Sequence, residues 1–123
     1  MSIPDYETIM LPLLTFTSDG QEYSIDQAAL HMAELFKLTP EEKEERIPSG
    51  QSTYIKNRTG WARTYLKKAG LLSSPKRGFI QITDRGKECL SKNPKQIDRK
   101  YLEQFPEFMI KRLDSDYFEG GVV

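Results

Sequence analysis

The stretch STYIKNRTGWARTYLKKAGLLSSPKRGFIQI, residues 52–82, decides the fold. Ile55, Thr59, Ala62, Leu66 and Ala69 recur at three- and four-residue spacing, the period of a helix with one buried stripe. Ser52 or Thr53 supplies an N-cap and Gly70 a C′ residue, so the pattern predicts a long helix ending at about Ala69. Leu71-Leu72-Ser73 then reads as a short strand, Ser74 to Gly78 as a turn, and Phe79-Ile80-Gln81-Ile82 as the return strand, with Ile80 and Ile82 on one face.

Working outward, Thr83 caps a helix that runs to about Ser91, and Asn93-Pro94 stops it. On the other side, Ile9, Leu13 and Phe16 mark a helix that starts near Asp5, contains Pro12 and closes at Ser18-Asp19-Gly20. Ser24 with Gln27 forms a capping box for a second helix carrying Ala28, Leu30, Ala33 and Leu35-Phe36. Thr39-Pro40-Glu41-Glu42 opens a short third helix with a solvated acidic face. The order is helix, helix, short helix, long helix, β-hairpin, helix. That predicts a mostly α chain with a small β-hairpin, the layout of a winged helix-turn-helix. The expected organisation is a winged-helix domain over 1–94, an aromatic-rich helical extension over 95–113 and a flexible tail over 114–123.

Length and charge bound the function. At 123 residues there is room for one domain with an appendage, and 18 basic residues balance 18 acidic ones. The balance is uneven along the chain. Residues 1–45 hold Lys37 and Lys43 against ten Asp/Glu, whereas residues 54–87 hold nine Lys/Arg against Asp84 alone. An excess of eight positive charges over residues 54–87, most of it on the long helix and hairpin, implies an anionic partner. The acidic first third is expected to form an opposing face that orients the domain basic side first.

Other classes are excluded. No apolar run approaches the roughly 20 residues of a membrane span. The N-terminus has no secretory pattern. A lone cysteine, Cys89, can form neither an internal disulfide nor a thiolate zinc site, and it points to the reducing cytoplasm. His31 is the only histidine and reads as structural. No Ser/His/Asp set, phosphate loop or HExxH assembles, so no catalytic residue, cofactor, metal or small-molecule substrate is expected.

The candidate interface follows from helical geometry. Lys56, Asn57, Arg63, Thr64, Lys67 and Lys68 share a side away from the apolar stripe, and Lys76, Arg77 and Gly78 form the hairpin tip. Arg63 and Asn57 suit base edges, since Arg pairs with guanine and Asn with adenine. Lys67, Lys68, Lys76 and Arg77 suit phosphates. Arg58 has two readings, a DNA contact or an ion pair with the second helix. Gly60 also has two, close approach of DNA or close packing of another helix. Trp61 and Tyr65 read as core or core-edge aromatics.

Several stretches resemble the N-terminal domain of Mrr-type restriction endonucleases. They are Ile3-Pro4-Asp5-Tyr6 with Met10-Leu11-Pro12-Leu13-Leu14, the block from Asn57 to Leu72, Pro75-Lys76-Arg77-Gly78, Ile82-Thr83-Asp84-Arg85-Gly86, and Tyr101 to Phe108. The resemblance implies a DNA-binding winged helix, which in that family precedes a PD-(D/E)xK nuclease domain acting on foreign, often methylated, DNA. The acids beyond the matched region, Asp114, Asp116 and Glu119, lack the nuclease motif. Double-stranded DNA binding without nuclease chemistry in this chain is therefore the expected function. The rival readings are a protein-interaction module that forms a homodimer through residues 95–113, and a stand-alone transcriptional regulator.

Overall fold

The structure is a computed structural model that describes residues 3–109. Its elements are α1 (Tyr6–Phe16), β1 (Tyr23–Ser24), α2 (Ile25–Leu35), α3 (Pro40–Glu44), α4 (Tyr54–Lys68), β2 (Leu72–Ser73), β3 (Phe79–Ile82), α5 (Asp84–Ser91) and α6 (Arg99–Leu102). This is a mostly α, winged-helix-like fold.

Each helix start follows from a local side chain. The Asp5 carboxylate accepts from the Thr8 amide at 2.7 Å and caps α1. Ser24 and Gln27 form the reciprocal capping box of α2, and Thr39 and Glu42 repeat it at α3. Thr53, the second of the two expected caps, opens α4. The Thr83 hydroxyl accepts from the Gly86 amide at 3.1 Å and donates to the Gly70 carbonyl at 2.6 Å, so one side chain ends α4 and starts α5.

The sheet has three strands in the order β1-β3-β2, all antiparallel. The hairpin β2-β3 is the expected wing, with Leu72 opposite Ile82. The strand β1 has no counterpart in the sequence reading. It pairs Tyr23 with Ile80, and the Ile25 amide donates to the Gly78 carbonyl at 2.9 Å, so the start of α2 is tied to the wing.

The core lies where α1 and α2 pack on α4. Ile9, Met10, Leu13, Leu14, Met32 and Leu66 are fully buried there. The buried stripe of α2 is Ala28, Ala29, Met32 and Ala33, whereas the expected Leu30 and Leu35 are exposed. The small alanines let the helices approach closely. Gly86 serves the same purpose at α5, where an added Cβ would lie 2.4 Å from the Leu71 carbonyl oxygen.

Packing continues past residue 94. Ile97, Leu102 and Phe108 are fully buried in the same core as the helices, and the Phe108 ring lies 6.1 Å from Tyr65. Phe105 and Tyr101 pack against that core as well. In the rival reading these rings would face a second copy; Phe108 is instead buried within the chain, while Tyr101 and Phe105 are half-buried against the core. Ile110 and the tail 114–123 lie outside the described residues.

Candidate nucleic-acid interface

The helix α4 has three sides. At 3.6 residues per turn, Ile55, Thr59, Ala62 and Leu66 point inward and are all buried. A second side, at Tyr54, Arg58 and Tyr65, abuts α1, the segment just before it and Phe108. Tyr65 stacks on Tyr6 with ring centroids 5.2 Å apart. Arg58 lies over the Tyr54 ring and donates to the Ile3 and Pro4 carbonyls at 2.9 and 3.3 Å. Arg58 is therefore turned away from the other candidate residues. Among the described residues it forms no ion pair with the second helix, and the carbonyls it holds belong to the segment before α1.

The third side faces solvent and the wing. Arg63, Thr64, Lys67 and Lys68 line an open groove of about 490 Å³ with Ser74, Arg77 and Gly78 of the wing turn. The long helix and the hairpin tip thus share one surface. Among the described residues no carboxylate pairs with Arg63, Lys67, Lys68 or Arg77. Lys68 lies over the Tyr65 ring at 5.4 Å. Gly78 holds a positive φ of 81°, which closes the wing turn without backbone strain.

Lys56 and Lys76 border this surface and are held by acids. Lys56 Nζ lies 2.7 Å from Asp26 at the start of α2. Lys76 Nζ lies 3.9 Å from Glu22 and 4.3 Å from the centre of the Phe79 ring. The acidic first third was expected to form an opposing face. Two of its acids stand at the edge of the basic groove instead, because β1 pairing to β3 carries the start of α2 to the wing.

A second cleft continues the surface toward the start of α4. Ile25, Ser52, Lys56, Asn57, Gly60, Trp61, Arg63 and Thr64 line it. Trp61 is 44% exposed, so it belongs to this face and not to the core. The signal was present in the sequence: Trp61 follows Asn57 by four residues and so lies next to it on the helix. No other element packs on Gly60. A Cβ placed there would meet only the Arg63 guanidinium, at 3.8 Å, which removes helix packing as the reason for the glycine.

His31 stacks on Phe16 at 4.5 Å between ring centroids, and Cys89 is buried. Burial and a hydrogen bond to Cys89 push the Tyr101 hydroxyl up to about 12, so it stays protonated throughout the physiological range. These groups lie on other elements and have no part in the basic surface. Among the described residues no helix is long and apolar enough to cross a membrane, and no acid, cysteine or histidine cluster could hold a metal ion.

A three-stranded wing beside a cationic solvent-facing helix defines the winged-helix class. Within it, the family model described as the Mrr N-terminal domain matches residues 6–92, and this chain belongs to that family. It is similar to the type IV methyl-directed restriction enzyme EcoKMrr of Escherichia coli (strain K12), with 32% identity over 101 residues. That alignment covers 79% of this chain but 32% of the relative, so the chain spans about a third of the length of the enzyme it matches. No solved structure matches the chain.

Proposed function

We propose that the chain binds double-stranded DNA through α4 and the wing, as the target-recognition domain of an Mrr-like restriction system that acts on modified DNA in the cytoplasm. The observation that carries this reading is the groove of Arg63, Lys67, Lys68 and Arg77, four cations on two adjacent elements with no acidic partner among the described residues. Unpaired cations along a groove gain from releasing the counterions of a polyphosphate.

In this reading α4 lies in the major groove. Asn57 and Arg63 reach base edges, Thr64 lies between them, and Lys67, Lys68 and Arg77 hold phosphates, with Gly78 letting the wing backbone come close. No hydrogen bond ties the Asn57 side-chain amide among the described residues, so it is available to a base. Lys56 and Lys76 stand at the edge of this contact and add their charge only where Asp26 or Glu22 is neutralised. The cutting step belongs to another part of such a system. The match to a methyl-directed relative favours modified DNA as the target.

An electrophoretic shift assay with matched methylated and unmethylated duplexes tests the reading. A salt-sensitive shift that is stronger on the methylated duplex supports it. Absence of any shift at low salt contradicts it.

A further inference from the structure

We infer that Gly60 forms a notch for the C5-methyl group of a major-groove pyrimidine, and that Gly60 and Trp61 set specificity for that methyl. The inference rests on the DNA-binding reading above and concerns what the centre of the helix face recognises.

Glycine in a helix interior is less stable than alanine by roughly 1 kcal/mol, so its presence mid-helix asks for a reason. Three usual reasons fail here. Gly60 has ordinary helical backbone, since it is absent from the positive-φ glycines. It does not end a helix, because α4 continues to Lys68. No other element among the described residues packs on it, since an added Cβ would meet only the Arg63 guanidinium, at an ordinary contact distance of 3.8 Å. What remains is an external group that needs the gap.

The surroundings select that group. The gap opens between Asn57 and Thr64, at the middle of the solvent face, where a recognition helix meets base edges and not phosphates. Its lining is mixed: Trp61 and Ile25 are apolar, and Lys56, Asn57 and Arg63 are polar. The Thr64 hydroxyl donates to the Gly60 carbonyl at 3.0 Å, so Thr64 offers no donor to a base. A side-chain-sized gap beside an apolar Trp61 wall suits a methyl, with Asn57 and Arg63 left for the polar edges on either side. In the major groove the C5-methyl of thymine or of a methylated cytosine projects on carbon as an apolar knob, whereas the N6-methyl of a methylated adenine sits on a nitrogen that keeps a hydrogen-bond donor beside it.

The substitution Gly60→Ala separates this from a structural role, because the two effects have opposite signs. Alanine raises the melting temperature by about 4 °C, while its methyl fills the notch. The full chain is titrated with one mixed-sequence fragment prepared four ways: with ordinary bases, with uracil replacing thymine, with 5-methylcytosine replacing cytosine, and with N6-methyladenine replacing adenine. The wild type is expected to lose affinity about fourfold when the contacted thymine methyl is removed, or to gain about fourfold when cytosine is methylated, the factor for burying one methyl-sized group. Which arm responds identifies the source. Gly60→Ala and Trp61→Ala are expected to abolish that preference and keep the salt dependence. Equal wild-type affinity across the first three fragments with salt dependence retained, preference for the N6-methyladenine fragment alone, or a C5-methyl preference that survives Gly60→Ala, would each overturn the notch and leave DNA binding standing. Absence of salt-dependent binding to every fragment would overturn both readings.

Discussion

The Nζ of Lys56 lies 2.7 Å from Oδ1 of Asp26, joining the first turn of α2 to the first turn of α4 across the edge of the basic surface. Both side chains are well exposed, at 48% and 73%, so the pair contributes little to stability. Its consequence lies in the charge available to DNA. Asp26→Asn frees one cation, and the plot of log K against log[salt] is expected to steepen by about one unit. Affinity at low salt should rise. A salt titration of the variant beside the wild type checks this, and an unchanged slope would place Lys56 outside the interface.

Arg58 makes the opposite prediction. Its guanidinium is held by the Ile3 and Pro4 carbonyls. Arg58→Ala is expected to destabilise the fold by about 1.5 kcal/mol, the scale of a charged hydrogen bond. The salt slope of DNA binding should not change once the comparison is made below the melting range. Urea denaturation and the same salt titration give the two readouts.

Much of this architecture was legible in the sequence because its determinants are local. The capping boxes at Ser24 and Thr39, the stripe from Ile55 to Leu66 and the alternation of Ile80 and Ile82 each lie within a few residues of what they specify. The features that escaped depend on distant partners. Two residues, Tyr23 and Ser24, carry no strand pattern, and they become β1 only by pairing with β3. Arg58 finds carbonyls 54 and 55 residues away. The rings of the extension looked like a surface because the sequence does not show the side of the core that Phe108 fills. At the candidate interface the cationic positions on α4 and the wing were readable from helical spacing. The acids beside Lys56 and Lys76 were not, because β1 is what brings them there.

Gly86 contrasts with Gly60. A Cβ at Gly86 would lie 2.4 Å from the Leu71 carbonyl and 2.7 Å from the Ile82 side chain, and backbone cannot yield cheaply. Gly86→Ala is expected to cost about 3 kcal/mol through overpacking. Thermal unfolding followed by circular dichroism measures the loss, and a melting temperature equal to the wild type would contradict the packing described.

The N-cap of α1 gives the pH dependence. The hydrogen bond from the Thr8 amide, helped by the Thr8 hydroxyl and the charge of Arg58, holds the Asp5 carboxyl below the usual carboxylate range. A lowered folded-state value means that this stabilisation is present at neutral pH and is lost as acid protonates the cap. Asp5→Ala should cost about 1 kcal/mol near neutrality, and the difference should shrink as pH falls through the carboxylate range. Asp5→Asn keeps a neutral cap and should flatten that part of the profile. Denaturant midpoints measured across the acid range decide it.

The central claim is that the free cations of α4 and the wing face DNA together. The most direct test is the salt slope of duplex binding for the full chain and for the double variant Lys67→Ala, Arg77→Ala. With Arg63, Lys67, Lys68 and Arg77 engaged, the slope of log K against log[salt] is expected to be about −4, and about −2 for the double variant. A slope near zero for the wild type, or the same slope for both proteins, would contradict the account.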